Sequence, residues 1–212
     1  MKTVYVVRHG ESEGNVGRFY QGPDNSSLTE HGREQARFIA ERCSRLPFEV
    51  LIASPALRAR QTAEMIAERT GHEIEWSDLL AELAHPTSVL GKSEDDPEAR
   101  LVNDAWDLGL YGNGPKVDDG EYFPEVFARI DEVLAHLHSR EESNILLVTH
   151  GLFLRALLAR ILIGEGITPE QFKRFIFSTR TKNTGITIIT DNSILPGAPW
   201  QLSVFNDHSH LG

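Results

Sequence analysis

VYVVRHG at residues 4–10 and ILLVTHG at residues 145–151 are two apolar runs, each ending in a histidine followed by a glycine. Neither run alternates polar with apolar residues. Both therefore read as strands of a parallel sheet buried on its two faces, with strand character over residues 3–7 and 145–148. Working outward, Ala36, Ile39, Ala40 and Cys43 recur at helical spacing after a cap at Thr29, and Ala59, Ala63, Ile66 and Ala67 do so before Gly71. Phe127, Ile130, Val133, Leu134 and Leu137 mark a third amphipathic helix. Further strands are expected at Val50–Ala53 and around residues 186–189. This alternation specifies an α/β chain of three layers, with helices on both faces of a mostly parallel central sheet.

The 212 residues suit one domain spanning 1–212. Residues 86–124 are the weakest for regular structure, holding five glycines together with Pro86, Pro97, Pro115 and Pro124. They read as an insertion or lid, placed at about 84–124, and the acidic run Glu94, Asp95, Asp96 reads as a solvated face. The single cysteine, Cys43, has no partner for an internal disulfide, which points to a reducing, cytoplasmic setting. A net charge of −10 argues against nucleic acid or an anionic membrane as partner. The most apolar later stretch, residues 152–163, is broken by Arg155 and Arg160, so no membrane span is expected. No heptad or apolar stripe specifies an oligomer.

Ligands of open α/β sheets bind at the carboxyl ends of the strands, where His9 and His150 both fall. The apolar run after His150 implies a helix whose positive end begins beside it, suited to an anion. Arg8 precedes His9, and Arg58 follows Ser54 and Pro55, which read as an N-cap and first helical residue; Arg58 would then lie in the first turn. A lone histidine at a strand end is commonly structural, and a lone arginine at a helix start commonly pairs or caps. Two of each at one sheet edge describe a phosphate pocket on an otherwise acidic protein. No metal-ligand spacing, Walker loop or dinucleotide fingerprint occurs, so no metal or cofactor is expected.

Arg8-His9-Gly10-Glu11-Ser12 with Asn15, then Gln21-Gly22, Leu28-Thr29, Gly32 and Gln35-Ala36, resembles the histidine phosphatase superfamily, also called phosphoglycerate mutase-like. Ser54-Pro55 with Arg58-Ala59 and Thr62-Ala63, then Glu82, Gly120-Glu121 and Thr149-His150-Gly151, continue the match in order. The resemblance implies a phosphoglycerate mutase-like fold and a small phosphorylated substrate. It also implies that His9 attacks phosphorus to form a phosphohistidine that water hydrolyses. Arg8, Arg58 and His150 would hold and stabilise the phosphoryl group, with Asn15 and the Gly151 amide as further donors. Ser12, Gln21 and Gly22 join the substrate-binding set. Glu82 is the expected proton donor to the leaving oxygen, its apolar neighbours raising its pKa; Asp78 and Glu121 are rival acids, Glu121 more suited to orienting neighbours or capping the next helix. Mutases of the family typically carry Gly-Trp where this chain has Gly22-Pro23, and Glu-Arg-His-Tyr-Gly where it has Glu82-Leu83-Ala84-His85-Pro86. The chain is also short for a mutase. A metal-independent phosphomonoesterase is therefore expected, with phosphoglycerate mutase or a catalytically silent phosphate-binding protein as alternatives.

Overall fold

The computed structural model describes residues 1–191 and 200–212. Four strands, β1 (Lys2–Arg8), β2 (Val50–Ala53), β3 (Ile74–Trp76) and β4 (Asn144–Thr149), run parallel. β5 (Ile186–Asp191) lies antiparallel to β1, and β6 (Trp200–Asp207) lies antiparallel to β5. The six strands are ordered β3-β2-β4-β1-β5-β6. The expected three-layer α/β fold is present.

The helices are α1 (Glu13–Gly17), α2 (Glu30–Cys43), α3 (Leu57–Thr70), α4 (Pro97–Tyr111), α5 (Phe123–Ser139), α6 (Gly151–Ile163) and α7 (Pro169–Ser178). Successive strand side chains point to opposite faces, which sorts each apolar run into two cores. Tyr5, Val7, Leu146 and Val148 pack against Ile39 and Cys43 of α2 and Ala63 and Ile66 of α3. Val4, Val6, Ile145 and Leu147 pack with α5, α6 and α7 through Ile130, Phe153 and Phe172. Strands buried on both sides need apolar residues at every position, as residues 4–7 and 145–148 supply.

Residues 84–124 are more ordered than their glycine and proline content suggests. Asp96 accepts from the Ala99 amide as an N-cap and Pro97 opens α4, whose buried stripe is Ala99, Trp106, Gly109 and Leu110. The acidic run is not a uniformly solvated face either. Asp96 is half-buried in that cap, and Glu94 is half-buried in an ion pair with Arg18, while Asp95 alone is exposed. This segment also pairs with the loop after α1: the Tyr20 amide donates to Lys92 O, and Glu94 N to Arg18 O.

Parallel pairing of β1 with β4 sets Arg8 opposite Thr149, so His9 and His150 emerge side by side at the carboxyl edge. Because β5 is antiparallel, it starts at that same edge, with Ile186 opposite Val7. The connection from α7 into β5 is thereby delivered to the two histidines.

Candidate active site

The loop after β1 is held from beneath by the residues that recur in the sequence pattern. Gly10 N donates to Thr62 Oγ1 at 3.1 Å, and Thr62 Oγ1 donates to Arg58 O at 2.8 Å. Glu11 N donates to Gln35 Oε1, and Thr29 Oγ1 to Glu11 Oε1. Two glycines permit this packing. A Cβ on Gly10 would lie 2.5 Å from Gly32 O, and one on Gly32 would lie 1.9 Å from Glu11 O. The histidine loop thus crosses α2 backbone to backbone.

His9 is 2% exposed and its Nδ1 is 2.6 Å from Gly10 O. A carbonyl only accepts, so Nδ1 carries the hydrogen and Nε2 keeps the lone pair. Burial first, then the positive charges of Arg58 and Arg8, hold the ring well below the ordinary imidazole range. His150, fully buried with its ring centroid 5.2 Å from that of His9, is held down in the same way by burial and then Arg58. Its Nε2 is 2.8 Å from Ser54 Oγ. Ser54 is therefore a partner of His150 and not a helix cap; α3 begins two residues later than expected, at Leu57, with Ala56 as its N-cap. Arg58 remains in the first turn.

Arg8 donates through Nη1 to Thr181 O at 2.6 Å, and Arg58 through Nη1 to Gly22 O at 3.0 Å. Burial lowers the Arg8 pKa to about 10, which leaves the guanidinium charged at neutral pH. Arg8 Nε, Arg58 Nε and His150 Nδ1 are buried and have no hydrogen-bond partner. An unpaired buried polar group costs about 1–3 kcal/mol, so the two arginine Nε–H groups would be relieved by an acceptor-rich anion.

Glu82 follows a 3-10 turn at Asp78–Leu80 and is tied to the sheet edge by its neighbours. Thr149 Oγ1 donates to Leu80 O, and Arg129 Nη1 donates to both Leu79 O and Ala81 O. Arg129 also pairs with Glu121, whose Oε2 accepts from Ala84 N. Glu121 orients this segment and does not cap α5, whose N-cap is Tyr122. Glu82 Oε1 accepts from Phe153 N at 2.7 Å and Leu83 N at 3.1 Å, and Oε2 from Leu152 N at 3.1 Å. The N-terminal amides of α6 thus hold the Glu82 carboxyl in place at the edge of the site. The surroundings of Glu82 are polar as well as apolar, unlike its sequence neighbours.

A cavity of about 740 Å³ joins these groups. Arg8, His9, Asn15, Gln21, Arg58, Glu82 and Gly151 line it. Ser12, Gly22 and His150 lie behind that wall. Ser12 Oγ donates to Gln21 Oε1, Gly22 O holds Arg58, and His150 packs on His9. Asn15 Oδ1 accepts from Ser12 N and from Asn183 Nδ2. Asn183 Nδ2 also donates to His9 O at 3.0 Å. The contribution of residues 180–183 has no sequence signal apart from the polarity of the run, because antiparallel β5 alone brings it here. Arg155 did carry a signal, being one helical turn beyond Gly151; its Nε donates to Gly151 O and its Nη1 to Ile176 O and Thr179 O. Among the described residues, no group of three or more His, Cys, Asp or Glu side chains could hold a metal ion, and no helix is long and apolar enough to cross a membrane.

Fold and candidate site together define an α/β protein with a cavity at a sheet edge, built on a buried histidine pair flanked by two arginines and a carboxyl. The chain belongs to the histidine phosphatase superfamily (branch 1), whose sequence model matches residues 4–207. It is 35% identical over 216 residues to a probable phosphoglycerate mutase GpmB of Enterobacter sp. (strain 638), and 32% identical over 219 residues to that of Citrobacter koseri. Each match takes in 100% of this chain and 95% of the relative. Length therefore does not separate this chain from proteins carrying the mutase name. A mycobacterial glucosyl-3-phosphoglycerate phosphatase superposes with a TM-score of 0.76 at 27% identity, over 98% of this chain and 100% of the other. A phosphoserine phosphatase from Entamoeba histolytica, solved with 3-phosphoglyceric acid, superposes with a TM-score of 0.78 at 25% identity over 100% of both.

Proposed function

We propose that the protein is a metal-independent phosphomonoester hydrolase acting on a small phosphorylated metabolite through a phosphohistidine. The observation that carries this reading is a buried His9 whose Nδ1 faces Gly10 O, beside the Arg8 and Arg58 Nε–H donors that lack a partner. Phosphate supplies the acceptors those donors need, and His9 Nε2 supplies the lone pair.

In the first step Nε2 bonds to phosphorus and the phosphorus–oxygen ester bond breaks. The leaving oxygen takes the proton of Glu82, whose Oε2 makes only one 3.1 Å contact and so retains capacity for a proton. In the second step Glu82 accepts a proton from water, whose oxygen bonds to phosphorus as the phosphorus–nitrogen bond breaks. Arg8 and Arg58 stabilise the charge on the non-bridging oxygens in both, with His150 packed behind His9 as the third member of that set. Asn15, Gln21 and Gly151 complete the substrate-facing wall, with Ser12 and Gly22 holding Gln21 and Arg58 from behind. The protein is read as one domain over 1–212, working in the cytoplasm without a cofactor.

The similarity to proteins named probable phosphoglycerate mutase GpmB favours a second reading, phosphoryl transfer within a glycerate. The test is phosphate release from a panel of phosphomonoesters in the presence of a chelator, with His9→Ala alongside. Chelator-resistant release that vanishes in the variant supports the hydrolase. A phosphoenzyme that persists after substrate removal and passes its group to 3-phosphoglycerate instead supports the mutase, and release undiminished in His9→Ala rules out the covalent route.

A further inference from the structure

Outside the cavity, one further histidine is wired to the loop that carries His9. His210 lies half-buried in the 3-10 turn Ser209–Leu211. Its Nδ1 is 3.2 Å from Arg42 Nη1 and its Nε2 is 3.1 Å from Thr184 Oγ1. A guanidinium only donates, so Nδ1 accepts and Nε2 carries the hydrogen that goes to Thr184. Thr184 Oγ1 in turn donates to Asn183 O at 2.8 Å. The hydrogens therefore run in one direction, from Arg42 to His210 to Thr184 to Asn183. Arg42 is itself paired with Asp207 and donates to Ser209 Oγ at 3.3 Å, which ties α2 to the same turn. Burial and then the Arg42 charge lower the His210 pKa to about 4, against the pull of Asp207, so the ring is neutral and keeps this tautomer at neutral pH.

Thr184 needs such support. It is fully buried with a φ of 57°, left-handed backbone that a β-branched residue rarely adopts. Such a conformation persists only where its surroundings over-determine it. Held in this way, the Thr184 amide donates to Arg8 O at 2.9 Å, and the adjoining Asn183 gives its Nδ2 to His9 O at 3.0 Å. Thr181 O, three residues earlier, accepts from Arg8 Nη1. One short segment thus grips both Arg8 and His9. Neither His210 nor Arg42 nor Thr184 lines the cavity, so none of the three is placed to touch a substrate.

Resting on the hydrolase reading, we propose that His210 is a positioning residue for His9: it holds Thr184 in its left-handed conformation, and Thr184 with Asn183 in turn fixes the carbonyls of Arg8 and His9. His210→Phe keeps a ring and removes both bonds. Its kcat on nitrophenyl phosphate should fall about tenfold or more, as displacement of a reacting group does, while KM stays within about threefold because the cavity wall is untouched. His210→Gln, whose amide can accept from Arg42 and donate to Thr184, should recover most of the loss. Because the effect passes through the Thr184 hydroxyl, His210→Phe added to Thr184→Val should cost little beyond Thr184→Val alone. Amide hydrogen exchange followed by NMR gives a readout that needs no turnover. In His210→Phe the Thr184 and Gly10 amides should exchange about tenfold faster or more, while Ile52 in β2 keeps its wild-type rate and reports an intact fold. An unchanged kcat, an unchanged Thr184 exchange rate, or equal losses in His210→Phe and His210→Gln would overturn the proposal. If the wild type hydrolyses no ester, the hydrolase reading fails separately and exchange decides the positioning role: faster exchange at both Thr184 and Gly10 supports it, and faster exchange at Thr184 alone overturns it.

Discussion

Acidification should unfold this protein through its two site histidines, and the size of the effect follows from their burial. His9 and His150 are 2% and 0% exposed, and both are held well below the ordinary imidazole value in the folded chain. Unfolded, each would take a proton near pH 6.5. The folded state is therefore fully stable with respect to these groups above pH 6.5, and loses stability as pH falls below it, because only the unfolded chain can bind the protons. Each histidine contributes a slope of about 1.4 kcal/mol per pH unit, which integrates to about 2 kcal/mol between pH 7.5 and 5.0. Two such groups amount to about 4 kcal/mol, against a typical total of about 5–15 kcal/mol. His85 and His210 are also lowered and act in the same direction, while Asp107, raised to about 6, opposes them. That background is shared by variants and cancels in a comparison. Urea unfolding in phosphate-free buffer at pH 7.5 and 5.0 should show the pH-dependent loss reduced by about 2 kcal/mol in His9→Ala and again in His150→Ala. A loss equal to wild type in both variants would mean that the rings take up protons without unfolding, and that His9 is not a neutral nucleophile.

Glu82→Gln should slow hydrolysis of alkyl phosphates by about 100-fold or more and of nitrophenyl phosphate far less, since the latter's anion leaves unprotonated; steady-state rates on the two esters check this, and equal losses would make Glu82 a structural acceptor of the α6 amides. Inorganic phosphate at about 100 times its Kd should stabilise the wild type by about 2.7 kcal/mol in thermal melts, and Arg58→Ala should abolish most of that gain. Gly32→Ala, whose Cβ would sit 1.9 Å from Glu11 O, should destabilise by about 1–3 kcal/mol or more; a wild-type Tm would contradict the close crossing of α2 by the histidine loop.

The helix α4 shows why part of the fold was hidden. Its N-terminus carries the Asp96-Pro97 start signal, and Ala99, Trp106 and Leu110 keep a helical stripe. Surrounding glycines mask that pattern, and two of them have a contact reason: a Cβ on Gly120 would strike Pro86 and Trp106 at 2.8 Å, and one on Gly109 would strike Pro115 O at 2.7 Å. Close packing of chain against chain reads in sequence like the composition of a loop.

By itself, the order of residues determined the parallel strands of residues 3–7 and 145–148, the helices that cover them, and the meeting of Arg8, His9, Arg58 and Glu82 near one sheet edge. The strands and helices follow from local periodicity, and the meeting of the site residues from the rule that strand ends gather ligands and from the motifs shared with the family; Thr62 is local to Arg58 but bonds Gly10 across 52 residues. Only the tertiary structure decided that Ser54 serves His150, that the α6 amides hold Glu82, and that Asn183 reaches His9 and Asn15. Those partners are 96, 71, 174 and 168 residues apart along the chain. Contacts at such separations depend on strand order and on the antiparallel turn of β5 into the sheet, and no local pattern of side chains encodes either.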